Sequence, residues 1–315
     1  MVISFKKVLI TAPWFTKTCL EELKKSFEVT QNRNKTWFSE NELTEFIGNY
    51  DGIIAGLDSF PDKVLEKASR LKIIARRGIG YDKIDLDYCK THGIYVTNTP
   101  VPEEHLAVAE FAVGLIIDLL RNITMSHISL KKGSWEREAF VGRDLITSRV
   151  GIFGLGHIGS RTAEILTSMR VKIIYCDPYV NDNRYLKVDA RTLFEQCDII
   201  SVHLPKTDET TGIINEELLS RMKRGSYLIN TSRGEILNDA DVVKFLDLGI
   251  LKGVATDVFN KEPPENNLLR SRDNVIATPH IAAFSENSFL KIDSICIRNL
   301  RNVLIEDSEP LFRIV

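Results

Sequence analysis

An α/β fold of two doubly wound parallel-sheet domains is what this sequence predicts, and two patterns carry the prediction. Short β-branched runs alternate with helical patterns along the chain, the rhythm of βα units feeding a parallel sheet. The runs form two series separated by a long apolar helical stripe. A length of 315 residues also accommodates about two domains at ~150 residues each.

The first series comprises Val8 to Thr11, Gly52 to Ala55, Ile73 to Ala75 and Ile94 to Thr97. The second comprises Val150 to Phe153, Val171 to Tyr175, Ile199 to His203, Tyr227 to Asn230, Val254 to Asp257 and Val275 to Thr278, enough strands for a complete doubly wound sheet. Between the series, Val108, Phe111, Ala112, Leu115, Ile116, Leu119 and Leu120 recur at helical spacing. Ala109, Val113 and Ile117 make the opposite flank apolar too, so this helix is expected to be buried on two sides, at an interdomain or intersubunit contact or in one domain's core. A last helical pattern, Phe289, Ile292, Cys296, Leu300 and Val303, follows the final strand with no further strand to cover. It can return to the first domain, giving expected domains of residues 1–99 with 285–315 and of residues 100–284.

Composition narrows the function. Forty-one Lys+Arg against 43 Asp+Glu leave a formal charge of −2, so no global field draws the chain to nucleic acid or anionic membranes. No apolar run approaches the ~18 residues of a membrane span and the N-terminus does not read as a signal peptide, which points to a cytoplasmic protein. Cys19, Cys89, Cys176, Cys197 and Cys296 are scattered, odd in number and lack a C-x-x-C pair. They read as reduced thiols, with neither a disulfide framework nor a metal site.

Gly154-Leu155-Gly156-His157-Ile158-Gly159 is a G-x-G-x-x-G element, common by chance but here placed between a strand pattern and a helical one. Gly154 permits the tight turn, Gly156 leaves room for a pyrophosphate, and Gly159 lets helix and strand approach. The phosphates then meet free N–H groups at the helix start, where the backbone of His157 counts for more than its ring. Asp177 ends the next strand 18 residues after the third glycine, in place for the ribose hydroxyls, and so favours NAD over NADP. Arg184 is the nearby cation that could serve a 2′-phosphate instead.

Three polar groups fall at the carboxyl ends of the later strands: Arg233, Glu262 and His280. That edge is where open α/β sheets bind ligands. Beside a nicotinamide they suit reduction of a 2-keto acid: Arg233 forks onto a carboxylate, His280 delivers a proton to oxygen, and Glu262 orients the imidazole.

Several further motifs accompany these groups in order: Arg76-Arg77-Gly78-Ile79-Gly80-Tyr81-Asp82, Val108-Ala109-Glu110, His203-Leu204-Pro205, Asn230-Thr231-Ser232-Arg233-Gly234, Asp257-Val258-Phe259 with Glu262-Pro263, and Pro279-His280. With the glycine loop, they make the chain resemble the D-isomer-specific 2-hydroxyacid dehydrogenases, which include phosphoglycerate dehydrogenase, glyoxylate/hydroxypyruvate reductase and D-lactate dehydrogenase. The resemblance covers nearly the whole length. It implies a Rossmann coenzyme domain inserted into a flavodoxin-like substrate domain, and a homodimer joined through the coenzyme domains.

It further implies that Arg233 binds substrate, Glu262 and His280 form the acid/base pair, and Ile79 and Gly80 offer N–H groups to the substrate carboxylate. Asp257 would accept from the nicotinamide carboxamide, and Leu204, Pro205, Thr231 and Ser232 would line the cofactor. Arg76 and Arg137 match basic positions of the phosphoglycerate-using group, whereas Ala55-Gly56-Leu57 lacks the arginine that group places there. The chain stops soon after the last helix, where some phosphoglycerate dehydrogenases carry a regulatory extension. The implied substrates are 3-phosphoglycerate/phosphohydroxypyruvate, glyoxylate/hydroxypyruvate or D-lactate-type acids. A reading of another class is an NAD-sensing protein-binding scaffold similar to the C-terminal-binding-protein corepressors.

Overall fold

Parallel strands bury both faces and therefore need continuous apolar runs, and those runs organise each part of the chain. The computed structural model describes residues 5–34 and 36–315. The chain divides into two compact units, Met1–Glu104 with Ser285–Val315, and His105–Phe284.

In the first unit, strands β1 (Lys7–Ile10), β2 (Glu28–Gln31), β3 (Gly52–Ala55), β4 (Ile73–Arg76) and β5 (Tyr95–Thr97) form one sheet in the order β2-β1-β3-β4-β5. All pairings are parallel, and this is the flavodoxin-like order. Successive residues point to opposite faces. Val8 and Ile10 meet one core with Ile54 and Ile73, while Leu9 meets another with Ile53 and Ile74. Sequence reading missed β2, a Glu-Val-Thr-Gln edge strand with no fully buried residue and no apolar run to announce it.

The helix Glu286–Leu304 starts at Ser285, whose Oγ accepts the Ser288 N–H at 3.2 Å. Its Phe289, Ile292, Cys296 and Leu300 complete the core around Val8 and Ile10, so this unit draws on both ends of the chain. Asp293 on the same helix is fully buried. Arg77 Nε and Nη2 donate to its two oxygens, and the Thr16 N–H adds a bond of 2.9 Å. The guanidinium is also packed on the Phe289 ring, 4.2 Å from its centroid.

In the second unit, β6 (Arg149–Phe153), β7 (Lys172–Cys176), β8 (Leu186–Lys187), β9 (Ile199–Val202), β10 (Ser226–Asn230), β11 (Leu251–Thr256) and β12 (Val275–Ala277) are ordered β12-β11-β10-β9-β6-β7-β8. Every pairing is parallel. This is the dinucleotide-binding order with one more strand at the β12 edge, and its switch point lies between β6 and β9. The two-residue β8 was also missed, because Leu186-Lys187 is exposed and too short to show a period.

The apolar stripe forms the helix Pro102–Arg121. Val113, Leu115, Ile116, Leu119 and Leu120 lie in the same core as Val150, Ile152 and Ile229 of β6 and β10. For this half of the helix the packing lies inside the second unit, the domain-core alternative among the positions expected from its sequence.

The Arg77–Asp293 pair gives a stability test. Side chains exposed by only 6% and 0% leave an uncompensated buried guanidinium if the carboxylate is removed. Asp293→Ala should therefore lose about 3–5 kcal/mol, read as a lower urea midpoint for the transition that reports the first unit.

Candidate active site

The switch point of the second sheet is built by β6 running into the glycine loop. Gly154 has φ +95°, and a Cβ there would come within 2.7 Å of the His203 carbonyl oxygen. At Gly159 a Cβ would lie 2.0 Å from the Gly154 oxygen, so helix and loop can touch only with glycine present. Gly156 faces open space and precedes the first turn of the helix His157–Ser168. That turn presents backbone N–H groups and the positive end of the helix dipole.

Asp177 follows β7 and is tied into the same loop. One of its oxygens accepts the Leu155 N–H at 2.8 Å; the other accepts Tyr179 and Val180 N–H groups at 2.8 and 2.9 Å. The carboxylate is thus held by backbone. Arg184 is bound to Asp182 and Glu164, which hold its guanidinium firmly protonated and neutralise its charge.

At the carboxyl ends of β10, β11 and β12 the other polar groups collect. His280 Nδ1 lies 3.0 and 2.9 Å from the two Glu262 oxygens, and Glu262 Oε1 also accepts the Phe259 N–H at 3.2 Å. An ionised carboxylate only accepts, so against an ionised Glu262 it is Nδ1 that donates, which leaves Nε2 outside the pair. His280 is held at φ +55°, an αL conformation uncommon for a residue with a side chain. Its N–H donates to the Asp257 and Thr278 carbonyl oxygens at 2.9 and 3.0 Å.

Arg233 is half-buried, with Nη1 donating to the Ser232 carbonyl at 2.9 Å. Asn230 shapes that turn: its Nδ2 donates to the Arg233 carbonyl, and its Oδ1 accepts from Ser232 N–H and Oγ–H. Gly234 follows because a Cβ there would lie 2.0 Å from the Phe259 carbonyl carbon. The Arg233 turn and the segment leading to Glu262 are therefore pressed together.

With this geometry in view, comparison with known proteins is specific. Residues 113–282 match the family model described as "D-isomer specific 2-hydroxyacid dehydrogenase, NAD binding domain". A glyoxylate reductase of Thermofilum pendens is 37% identical over 92% of this chain and 89% of its own length. The chain belongs to the D-isomer specific 2-hydroxyacid dehydrogenase family. A D-3-phosphoglycerate dehydrogenase of Synechocystis is 35% identical over 88% of this chain, and the chain spans only about half (51%) of that relative's length. Among solved structures, the Aquifex aeolicus D-lactate dehydrogenase complexed with NAD and lactic acid superposes with a TM-score of 0.82, at 30% identity and 96% coverage of both chains.

The second unit fits the cofactor that this family's domain binds. Open space at Gly156, a carboxylate at the end of β7 and a helix N-terminus form the cradle. Among the described residues the buried Thr231 hydroxyl has no hydrogen-bond partner, an orphan that a ligand group would satisfy. Ser232 is half-buried and Pro205 exposed, whereas the Leu204 side chain lies in the sheet core.

Asp257 has a structural part to play that its sequence-based role did not include. It is fully buried, and its oxygens take Thr278 Oγ–H at 2.6 Å, Ile281 N–H at 2.9 Å and Ala282 N–H at 2.8 Å. Burial pushes its carboxyl pKa up against these donors. The structure shows it anchoring the loop that carries His280. Arg76 is likewise buried, at 9% exposure, with Nη1 turned back to the Arg77 carbonyl. Gly78 beside it has φ +137° and is held by the Thr99 hydroxyl at 2.9 Å, while the Ile79 carbonyl is taken by Asn98.

One histidine, His105, escaped the sequence reading, and His203 was named there only as part of a motif. His105, at the start of the stripe helix, stacks on His157 with centroids 4.7 Å apart and planes within 6°; burial lowers its pKa first, the neighbouring imidazole second. His203 bonds the Ser201 hydroxyl at 2.9 Å, and burial lowers its pKa to about 4. No local pattern pairs residues 105 and 157, so only the packing could reveal them.

Asp177 supplies the prediction of this site. Asp177→Ala removes the carboxylate expected to accept from the ribose and frees Leu155 at once, so NADH affinity should fall roughly 10- to 100-fold, as for loss of charged hydrogen bonds. NADPH affinity should change little. Fluorescence titration of both cofactors measures the pair, and an unchanged NADH affinity would remove Asp177 from the site.

Proposed function

We propose that the chain is an NAD-dependent oxidoreductase interconverting a small D-2-hydroxy acid and its 2-keto acid. The observation that carries this is the His280–Glu262 pair at 2.9 Å, set at the carboxyl edge of the family's NAD-binding unit. When bound, the nicotinamide supplies or accepts the hydride. Arg233 binds the substrate carboxylate by a forked contact. His280 gives a proton from Nε2 to the carbonyl oxygen in reduction, while Glu262 stabilises the imidazolium and fixes its orientation. Asp257 acts as a positioning residue for His280. In the first unit, Ile79 and Gly80 are assigned backbone contacts with the substrate carboxylate, and Arg76 supports that turn from inside.

A direct test is reduction of a keto-acid panel with NADH. His280→Ala should slow turnover on the order of 10² to 10⁴-fold while NADH still binds. Near-normal turnover by that variant would sink the assignment. NADH binding by the parent without turnover of any 2-keto acid would favour the NAD-sensing scaffold.

The same reading includes a homodimer formed through the second unit. Its helix Ile123–Lys131 has no buried residue although Ile123, Ile128 and Leu130 are apolar. Leu130, Trp135, Val141 and Ile146 continue an exposed apolar segment, with Trp135 at 77% and Val141 at 74%. Such a patch marks an interaction surface. Sedimentation should give a dimer for the parent and a monomer for the double variant Ile123→Glu/Leu130→Glu; a parent that sediments as a monomer contradicts the reading. A cytoplasmic location belongs to this proposal too, supported by five free thiols. Among the described residues no helix is long and apolar enough to cross a membrane.

A further inference from the structure

The glycine loop ends in a side chain that the cofactor cradle does not yet use. His157 is the first residue of the helix His157–Ser168, follows Gly156 directly and is exposed. An exposed ring at a helix start is ordinarily free to change rotamer. Here one face is covered, because the buried His105 of the stripe helix lies against it with the two planes within 6°. Both residues belong to the second unit. Stacking engages the faces of the rings, whereas the N–H groups of an imidazole lie at its edge. Among the described residues neither ring makes a hydrogen bond, so the edge of His157 is uncommitted.

The surroundings treat the two rings differently. Burial holds the His105 pKa below the ordinary imidazole value, and His157 and then Arg161 lower it further. Arg161 stands one turn along the helix from His157, with its Nη1 held by Glu164 at 2.7 Å. Glu103 and Glu104 precede His105 on its own helix; Glu104 is buried and its charge acts on Cys296 of the first unit. Asp177, after β7, is taken by the Leu155, Tyr179 and Val180 N–H groups. Two imidazoles stacked this closely repel each other if both are charged. An anion at the helix N-terminus favours an imidazolium nearby, and the exposed ring gives up less hydration than the buried one in carrying that charge.

We propose that His105 is a positioning residue for the cofactor: a neutral platform that holds the His157 ring with its edge toward the pyrophosphate, which His157 meets as an imidazolium after taking one proton from solvent. The inference rests on reading the glycine loop as the NAD cradle. It makes affinity rise as pH falls through the imidazole range, because the bound state holds the proton more tightly than the free one.

Calorimetry with ADP-ribose tests this, since the probe carries the pyrophosphate and lacks the nicotinamide that would face His280. The parent should bind it about 5- to 10-fold more tightly at about pH 6 than at about pH 8, the change expected when binding raises one imidazole pKa by about a unit. Near neutrality, heats in two buffers of different ionisation enthalpy should show uptake of part of a proton. His157→Gln should abolish both effects. His105→Ala should do the same with His157 still in place, its loss of affinity being larger at the lower pH. His105→Phe, which keeps a ring to stack on, should restore most of the pH dependence. Equal parent affinity at both pH values overturns the proposal, as does pH dependence that persists in His157→Gln or in His105→Ala. A His105→Ala variant weakened equally at both pH values, or no rescue by Phe, would make His105 merely structural and overturn it too. A parent that binds no ADP-ribose at either pH removes the cofactor reading along with the proposal.

Discussion

A histidine held in a left-handed backbone conformation beside a carboxylate needs support from beneath, and the fully buried Asp257 provides it. Such a conformation costs of order 1–3 kcal/mol, and His280 adopts it at φ +55°. Three donors on the Asp257 carboxylate, together with the His280 N–H on its carbonyl oxygen, fix the loop from Thr278 to Ala282. Burial works against that charge and raises its pKa. The donors are what make a carboxylate tolerable there. Without them the loop that carries His280 would lose its anchor.

Close backbone approach extends the same constraint across the sheet edge. Gly234 lets the turn after Arg233 touch Phe259, and Glu262 in turn accepts the Phe259 N–H. Arg233, Glu262 and His280 come from three different strand ends, yet each is tied to its neighbour by backbone contacts. On the other side of the switch point the glycine loop follows the same logic, because Asp177 bonds the loop it serves. Positioning in this unit is done mostly by backbone N–H groups, which have fewer degrees of freedom than side chains.

The first unit solves a different problem, since its core is assembled from segments more than 200 residues apart in the chain. The Arg77–Asp293 pair spans |i−j| of 216 and is enclosed by aromatic rings. A buried ion pair recovers its desolvation only when its geometry is saturated. Here the Thr16 N–H supplies the further bond to Asp293. The pair sits one residue before Gly78, so it also secures the start of the segment assigned to substrate.

Local chemistry determined what could be read from the sequence alone. The β-branched runs announced nearly every buried strand, and the glycine loop was legible because backbone at φ +95° and a 2.0 Å approach admit little but glycine. That Glu262 and His280 pair was legible from their place after strands, and the same placement singled out Arg233. The edge strands β2 and β8 were not, because an edge needs no apolar run. Tertiary structure decided the rest: that Asp257 turns inward as an anchor, that Arg76 is folded into the unit, and that His105 meets His157. Each depends on which distant segment arrives beside a residue, and that is settled by packing of the whole sheet, not by the pattern around any one position.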